Sequence, residues 1–310
     1  MTSQLKADLM LLLVVSCWGF SFYLTDISCA TLDTFTLNAF RFIIAFAVAV
    51  LLAFPKLRSI SVQTLSYSLL LGLILSIMYA TMTFGIKNTV LSNSGFLCGL
   101  TVIFTPLLSC FIYRKPPEKK LMLVAGMCVL GIALLTLTNG FQINQENLKG
   151  DLLCILCGLF YAIDLIITEK AVSYQEVNAF QLGVLQLGIT GGISLILAFL
   201  LESPHLPPTP KIWVAVLFLA IFCTGVAFIV QAIAQQYTSA THVGVINSLE
   251  PVFAGIVAYF FAGDILSPKS YLGAALMVTG LIIMEINFSD FHLMYKKIIK
   301  IKEELKNDPK

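Results

Sequence analysis

The sequence predicts an all-α membrane protein with ten transmembrane helices, built as two inverted five-helix repeats. Of its 310 residues, 58% are hydrophobic and only 12% are charged, against roughly 25% charged in an average soluble domain. The mean hydropathy is +0.91. A soluble fold must cover itself with polar groups, so most of this apolar surface is expected to face lipid. The chain is therefore predicted to cross a membrane many times.

Apolar runs of about 17 to 25 residues recur along the chain between short polar connections. Strands of a lipid-facing barrel would alternate polar and apolar residues, so these runs are predicted to be helices. We call them spans one to ten, and they cover residues 9–24, 35–54, 67–86, 93–113, 121–138, 151–171, 179–201, 212–235, 242–262 and 271–287.

Lysine and arginine are distributed unequally between alternate connections. With a cytoplasmic N-terminus, fourteen of the 19 basic residues fall on the cytoplasmic side and four on the other, while Arg41 lies inside span two. Short cytoplasmic loops carry the excess of basic residues in membrane proteins. Both termini are therefore predicted to be cytoplasmic, in the cytoplasmic (inner) membrane of the cell.

The two halves of the chain are related to each other. Asn-Ala-Phe at residues 38–40 recurs at 178–180, and Gly95 in span four recurs as Gly244 in span nine. The polar stretch after span five divides the spans five and five, and an odd number per half forces the second half to enter the membrane in the opposite direction. The predicted units are a first five-helix repeat at 1–140, an inter-repeat loop at 141–150, a second repeat at 151–290 and a basic cytoplasmic tail at 291–310.

Pro106 and Pro251 each fall near the middle of the fourth span of their half. Proline has no backbone N–H, so each is expected to break its helix and free the carbonyl four residues earlier, that of Val102 or Asn247. Matched interruptions in corresponding spans are typical of the binding site of a secondary transporter. A packing kink with nothing bound is the alternative.

Several short motifs resemble those of the EamA-type transporters of the drug/metabolite transporter superfamily. They are Trp18-Gly-Phe-Ser-Phe in span one, Arg41-Phe in span two, Asn93-Ser-Gly-Phe-Leu and Val102-Ile-Phe-Thr-Pro in span four, and, in the second half, residues 236–255, 261–264 and 273–280. The resemblance implies a ten-helix, five-plus-five transporter with a central cavity, in most cases an exporter of amino acids or other small metabolites. The acidic residue that this family carries after each fourth helix is Asp264 in the second half, whereas the first half has Lys115, so we expect no coupling role for that position.

Glu250 is the strongest single candidate for a functional residue, because ionisable groups deep in a membrane are costly. It lies near the centre of span nine, beside Pro251 and on the same helical face as Asn247. A carboxyl group there can exchange a proton with a water-filled cavity, as a proton-coupled carrier requires. Alternatively it hydrogen-bonds a freed carbonyl and holds the kink.

Asp164 and Arg41 are the other two ionisable residues far from an interface. Asp164 belongs to a polar stripe of span six with Tyr161 and Thr168, which is expected to face the cavity or another helix in place of lipid. Arg41 lies about two turns from the outer surface, and it can reach outward or pair with an acid such as Asp164.

The remaining candidates for substrate binding or coupling are polar or aromatic residues in other spans. They are Trp18 in span one, Tyr79 in span three, Asn93 in span four, and Thr224, Gln231 and Gln235 in span eight. Such side chains can hydrogen-bond a polar solute or wall it with aromatic rings, and they can equally join helices to one another. Spans one, three, four, six, eight and nine are predicted to surround the cavity, with five and ten at the periphery.

We expect no cofactor and no metal site. Cys154 and Cys157 have the spacing of a redox or metal motif, but they lack a second ligand pair and lie in an apolar helix, where cysteine packs as a small hydrophobe. No phosphate-binding loop of the type G-x-x-x-x-G-K-[ST] occurs, so a gradient is expected to drive transport. The near balance of 19 basic and 17 acidic residues indicates no nucleic-acid partner.

The preferred interpretation is a carrier, not an enzyme, that exports small metabolites, amino acids above all, by alternating access. Its expected partners are a small-molecule substrate and the lipid bilayer, and it is expected to be a monomer or a homodimer. The alternatives are an exporter of drugs or cationic solutes, a lipid flippase and a membrane protein that transports nothing. Three deep ionisable residues argue against a passive scaffold.

Overall fold

The computed structural model describes residues 3–89, 91–114, 118–137, 146–257, 259–260 and 267–285. These residues form helices at all ten predicted positions, and none of them lies in a strand. Eight of the ten spans, all except five and ten, are long and apolar enough to cross a membrane. The predicted all-α membrane fold is therefore confirmed, while the crossings by spans five and ten remain predictions.

Some spans are continuous helices and others are interrupted near the middle. The continuous ones are span two at Thr34–Ala53, extended by a 3-10 turn at Phe54–Leu57, span three at Val62–Asn88, span five at Lys119–Thr136, span six at Leu148–Val172, span seven at Ala179–Leu201 and span ten at Pro268–Glu285. The interrupted ones are span one at Ser3–Trp18 and Ser21–Cys29, span four at Leu91–Gly99 and Thr101–Tyr113, span eight at Pro210–Ala220 and Ala227–Ala234 with a π-helical turn at Ile221–Val226 between them, and span nine at Ala240–Asn247 and Glu250–Val257.

Polar side chains in the connections determine where several spans begin. Ser61, Asn178, Thr209 and Ser239 each accept a hydrogen bond from the backbone N–H three residues later, at 3.0, 3.1, 3.4 and 3.3 Å. Such a cap satisfies one of the four N–H groups that the first turn of a helix leaves without a partner. Spans three, seven, eight and nine start at these caps.

The spans pack in pairs that relate the first half to the second. Three pairs join a span to its counterpart in the other half: two with seven, four with nine, and five with ten. Two further pairs are three with six and eight with one, and each of these is the counterpart of the other. If every span is replaced by its counterpart in the other half, the same five pairs result. Spans five and ten contact each other at one edge, and the other spans form the main body.

Hydrogen bonds between connections join loops that the sequence places on the same side. On the predicted cytoplasmic side, the Ser61 hydroxyl donates to the Glu176 carbonyl at 2.6 Å. On the other side, the Glu202 carboxylate accepts from the backbone N–H groups of Phe35 and Thr36, both at 2.8 Å. The connections therefore alternate between the two ends of the bundle.

His205 belongs to the predicted outer side, in the connection after span seven. Its two ring nitrogens lie 3.2 and 3.0 Å from the carbonyl oxygens of Ser203 and Thr31. These contacts raise the pKa of His205, because only the protonated ring can donate to both oxygens.

Parts of the predicted organisation lie outside the described residues. These are the basic tail at 291–310, residues 141–145 of the inter-repeat loop, the C-terminal ends of spans five, nine and ten, and the two loop positions Lys115 and Asp264 that follow the fourth span of each half. The boundaries of the two repeats remain predictions.

Candidate functional site

The interruptions of spans one, eight and nine bring three backbones together. Span one bends at Gly19, where a Cβ atom would lie 2.8 Å from the carbonyl carbon of Phe253 in span nine. Next to it, Trp18 Nε1 donates to the carbonyl of Cys223 at 2.8 Å, in the π-helical turn of span eight. Such turns are frequent at functional sites. Glycine is needed at position 19 because a side chain would collide with main-chain atoms.

Arg41 of span two lies against this junction, and its side chain is 1% exposed. It donates to the hydroxyl groups of Thr224, Ser21 (3.1 Å) and Tyr79 (3.2 Å) and to the carbonyl of Cys223 (3.3 Å). All of these acceptors are neutral, and neither ion pair found among the described residues involves Arg41. Of the two arrangements considered from the sequence, the structure shows neither: Arg41 does not reach outward, and it does not pair with Asp164.

One aromatic ring covers the Arg41 guanidinium group, and further rings extend from it toward span six. The guanidinium carbon lies 4.6 Å from the ring centroid of Tyr79, a cation-π distance. Phe228 of span eight lies 5.9 Å from the Tyr79 ring and 5.6 Å from the Trp18 ring, and Trp18 packs edge-on against Tyr161 at 5.8 Å. These rings join four spans around one buried charge.

Tyr161 connects spans six, eight and nine through its hydroxyl group. The hydroxyl donates to Gln231 Oε1 at 2.7 Å and accepts from Asn247 Nδ2 at 2.7 Å. Asn247 is the last residue of the first helix of span nine, directly before the interruption. The structure thus brings together three of the predicted site residues in one chain of hydrogen bonds.

Glu250 begins the second helix of span nine, three residues after Asn247. Groups of five other spans are close enough to interact electrostatically with its carboxyl group, namely Arg41, Tyr79, Cys98, Tyr161 and Cys223. Its side chain is partly exposed, which suits a carboxyl group that meets a solute or water. Together with Trp18, Tyr79, Arg41, Tyr161, Gln231 and Asn247, Glu250 forms what we call the central cluster.

Asp164 and Gln235 lie one helical turn from Tyr161 and Gln231, toward the predicted cytoplasmic side. Gln235 is 3% exposed and donates from Nε2 to the carbonyl of Leu165 at 2.9 Å. Asp164 is 1% exposed, and neither of its carboxyl oxygens has a hydrogen-bond partner in the described part of the chain. These two residues extend the polar stripe of span six beyond the central cluster.

Asn93 is the predicted site residue that the structure places elsewhere. Its Nδ2 donates to the carboxylate of Asp151 at 3.2 Å, and the same carboxylate accepts from the Thr89 hydroxyl at 2.6 Å. Asn93 is near the start of span four and Asp151 near the start of span six, so both lie at the predicted outer end of the bundle. Asn93 therefore joins two helix ends and does not belong to the central cluster.

The interruption of span four is displaced from the predicted position. The helix stops at Gly99 and restarts at Thr101, whereas Pro106 lies inside the second helix. A proline ring collides with the carbonyl four residues earlier, so its effect is felt in the turn that precedes it. In span nine the prediction of a break at Pro251 is closer, because the interruption lies at residues 248–249 and Pro251 is the second residue of the following helix.

Two groups of the central region are not among the predicted site residues. The hydroxyl of Ser21 and the carbonyl of Cys223 both accept from Arg41. Ser21 follows the bend of span one, and Gly225 in the middle of span eight is a sequence signal of weakened helix. The π-helical turn itself depends on packing and has no signature in a single sequence.

A third cysteine, Cys98, lies beside Cys154 and Cys157 in the structure. The thiol of Cys98 from span four lies against both of them. All eight cysteines are free, and within the described ranges no group of three or more His, Cys, Asp or Glu residues is arranged to hold a metal ion. The three thiols pack at the contact between spans four and six.

Comparisons with known proteins agree with this architecture. Residues 5–137 and 148–286 each match the profile of the EamA-like transporter family. A protein of Archaeoglobus fulgidus named as an uncharacterized transporter is 27% identical over 91% of this chain and 87% of its own. An Escherichia coli protein named as a probable amino-acid metabolite efflux pump is 22% identical over 96% of this chain and 98% of its own. A crystal structure with 20% sequence identity superimposes with a TM-score of 0.77 over 90% of this chain and 96% of the other, which shows the fold.

Proposed function

Because this chain belongs to the EamA-like transporter family, we propose that it is a secondary transporter that exports small metabolites, amino acids in particular, by alternating access. Family and relatives establish a multi-pass membrane transporter. The substrate class and the mechanism are our proposal. The observation that carries it is the central cluster, which holds one guanidinium and one carboxyl group among amides and aromatic rings.

The charges of the central cluster suit a zwitterion. Arg41 is buried without an acid at ion-pair distance among the described residues. A substrate carboxylate would therefore balance the positive charge of Arg41 and accept hydrogen bonds from its planar guanidinium group. Glu250 offers the opposite charge for an ammonium group. The Gln231 and Asn247 amides can orient the solute, and the rings around them exclude water.

A cationic solute fits this arrangement less well. It would meet the Arg41 guanidinium, whose hydrogen bonds go to neutral acceptors, and like charges in a site of low dielectric repel each other strongly. The name of the Escherichia coli relative, a probable amino-acid metabolite efflux pump, also favours amino acids over cations.

Alternating access by two inverted repeats is supported by how the spans pair. Two separate segments match the family profile, and the packing pairs are unchanged when each span is exchanged with its counterpart in the other half. A pseudo-two-fold axis between inverted repeats would produce this pattern. The interruptions of spans one, four, eight and nine provide points about which the two ends of the bundle can open in turn.

Transport by the purified protein in liposomes tests the proposal. Liposomes loaded with one unlabelled amino acid at a time are diluted into labelled amino acid, and counterflow is measured against liposomes without protein. We expect at least one amino acid to accumulate transiently, and a cationic dye to compete poorly. Counterflow of the cation with none of the amino acids would overturn the amino-acid assignment.

Binding can be measured apart from transport through Trp18. The chain has two tryptophans, so a Trp213→Phe protein carries its indole fluorescence in the central cluster alone. A transported amino acid should change this fluorescence in a saturable way. In Arg41→Gln the same titration should shift to about tenfold higher concentration or more, because the bond to the carboxylate is lost. An unchanged titration would place the substrate elsewhere.

A further inference from the structure

Five buried oxygen atoms, on four side chains of spans six, eight and nine, have no hydrogen-bond partner in the described part of the chain. Beside the two carboxyl oxygens of Asp164, they include the hydroxyl of Thr168, the amide oxygen of Gln235 and, one turn away, that of Asn247; the four side chains are between 1% and 6% exposed. A buried polar group without a partner costs free energy, about 1–3 kcal/mol for each neutral group. Several such atoms in one place call for an explanation.

The geometry puts three of these side chains beside one turn of span six. Asp164 and Thr168 are one helical turn apart on the same face. Gln235 donates from Nε2 to the Leu165 carbonyl at 2.9 Å, and that carbonyl points toward the following turn, where Thr168 lies. The amide oxygen of Gln235 is therefore held beside the turn that carries Thr168, one turn after Asp164 on span six.

The oxygens are of the kind that bind a hard cation. A carboxylate, a hydroxyl and an amide carbonyl are oxygen ligands without nitrogen or sulfur, which hard cations prefer. No ion pair among the described residues involves Asp164. A single carboxylate balances a single positive charge, whereas a divalent ion would leave an excess charge at membrane depth. A protonated Asp164 could donate to the Thr168 hydroxyl or the Gln235 amide oxygen, and the Na⁺ titration below distinguishes that ion-free arrangement from a bound cation.

We propose that Asp164, Thr168 and Gln235 form a binding site for a monovalent metal cation, Na⁺, next to the central cluster. The site lies one turn from Tyr161 and Gln231, so an occupied site would stiffen the segments that carry their hydrogen bond. Ion binding would thereby favour one arrangement of the cluster. The binding itself does not depend on the proposed function; only the coupling of Na⁺ to transport does.

Thermal unfolding of the purified protein in detergent tests the binding directly, without a transported substrate. NaCl is compared with N-methyl-D-glucamine chloride at equal ionic strength. A ligand that binds the folded state raises the unfolding temperature in a saturable way. We expect NaCl to do so and the organic salt not to. Equal unfolding temperatures in the two salts would mean that the oxygens bind water and not Na⁺, and would overturn the site.

Variants locate the bound ion. Asp164→Asn should abolish the Na⁺ response, and Thr168→Val, which keeps the side-chain shape, should raise the Na⁺ Kd roughly tenfold. The matched control is Thr25→Val, since Thr25 in span one is another buried threonine whose hydroxyl has no partner in the described structure; its Kd should not change. A wild-type Kd in Thr168→Val overturns the site even if Asp164→Asn does not fold.

Glu250→Gln separates this proposal from the proposed function. It changes the other deep carboxyl group, so its Na⁺ response should equal that of the wild type whatever happens to transport. Loss of the response in Glu250→Gln but not in Asp164→Asn would move the ion to the central cluster and overturn the assignment. A protein that binds Na⁺ as expected but transports no amino acid contradicts the function and leaves the site standing.

Discussion

Arg41 is almost completely buried, and its environment explains how a charge is tolerated there. Burying an unpaired ion costs several kcal/mol even after relaxation. Three hydroxyl groups and one carbonyl accept hydrogen bonds from Arg41, and the face of the Tyr79 ring offers further electrostatic stabilisation. The positive charge is thus solvated by dipoles and not neutralised, which leaves it able to attract an anionic group.

Glu250→Gln is expected to abolish gradient-driven transport without unfolding the protein. The substitution keeps shape and hydrogen bonding but removes the exchangeable proton. In liposomes with an imposed pH gradient, the variant should lose net transport and keep exchange of labelled for unlabelled solute.

A purely structural role for Glu250 predicts a different pattern. Glutamine would then be tolerated, and only a larger change such as Glu250→Leu would be harmful. Normal pH-dependent transport by a correctly folded Glu250→Gln protein would remove Glu250 as the coupling residue and leave Asp164 as the next candidate.

Tyr161→Phe tests the hydrogen bonds that join spans six, eight and nine. The change removes one oxygen atom and leaves the Gln231 and Asn247 amides without their shared partner, so we expect a loss of stability of about 1–2 kcal/mol. Thermal unfolding in detergent measures it. Tyr237→Phe is the control, because Tyr237 is 48% exposed. Equal unfolding temperatures for the two variants would mean that the Tyr161 hydroxyl holds nothing together.

At the scale of elements, three interrupted spans and three continuous spans carry the central cluster. Span one bends after Trp18, span eight has its π-helical turn around Cys223, and span nine breaks after Asn247. The Cys223 carbonyl accepts from Trp18 and Arg41, and Trp18 and Asn247 are buried beside the other two interruptions. Spans three and six are continuous and supply Tyr79 and Tyr161 from regular helix faces.

Gly19→Ala should weaken the contact between spans one and nine. The added Cβ would lie 2.6 Å from Phe253 Cβ, 2.8 Å from its carbonyl carbon and 3.0 Å from the backbone nitrogen of Ala254. Main-chain atoms cannot move aside cheaply, so a cost of about 1–3 kcal/mol is expected, together with reduced transport. Thermal unfolding and liposome counterflow measure the two effects.

Gly192→Ala is the matched control for that substitution. Gly192 lies inside the helix Ala179–Leu201, and a Cβ there would meet no atom within 4 Å. Alanine favours helix over glycine by roughly 0.5–1 kcal/mol, so this variant should be as stable as the wild type or more so. If Gly19→Ala unfolds at the same temperature as Gly192→Ala, the close approach at position 19 is not needed.

At the scale of the whole molecule, the arrangement depends on pairing between the two halves. Spans two and seven and spans five and ten pack as partners, so neither half buries its apolar surfaces alone. The central cluster takes residues from both halves, with Arg41 and Tyr79 from the first and Tyr161, Gln231 and Asn247 from the second. Relative movement of the halves would therefore change the cluster directly.

Both termini are expected in the cytoplasm. A fluorescent protein fused after Lys310 should fluoresce, while alkaline phosphatase at the same point should be inactive, because each reporter folds on one side of the membrane only. Fusions in the connection at residues 202–209, predicted to lie outside, should show the opposite pattern. Active phosphatase after Lys310 would contradict the predicted cytoplasmic C-terminus.

The pattern of apolar runs and basic loops was enough to predict an all-α membrane fold with helices at ten positions, because lipid requires every spanning segment to satisfy its own backbone. Deep polar residues could be recognised for a similar reason: Arg41, Glu250 and Asp164 stand out where charge is costly. The motifs of spans one, two, four and nine pointed to the EamA type, and the family match confirms that resemblance.

Which of those residues meet was decided by the tertiary structure alone. From the sequence, Asn93 and Tyr161 are equally good candidates for the site. In the structure, Asn93 joins two helix ends through Asp151, whereas Tyr161 bridges three spans. Arg41 could pair with an acid on sequence grounds, but packing directs it to Thr224, Tyr79 and a carbonyl of Cys223. The hydropathy of a segment and the spacing of its polar residues indicate which face of the helix is buried. Which helices contact each other depends on how the side chains of different segments pack together, and the sequence of one segment does not determine that.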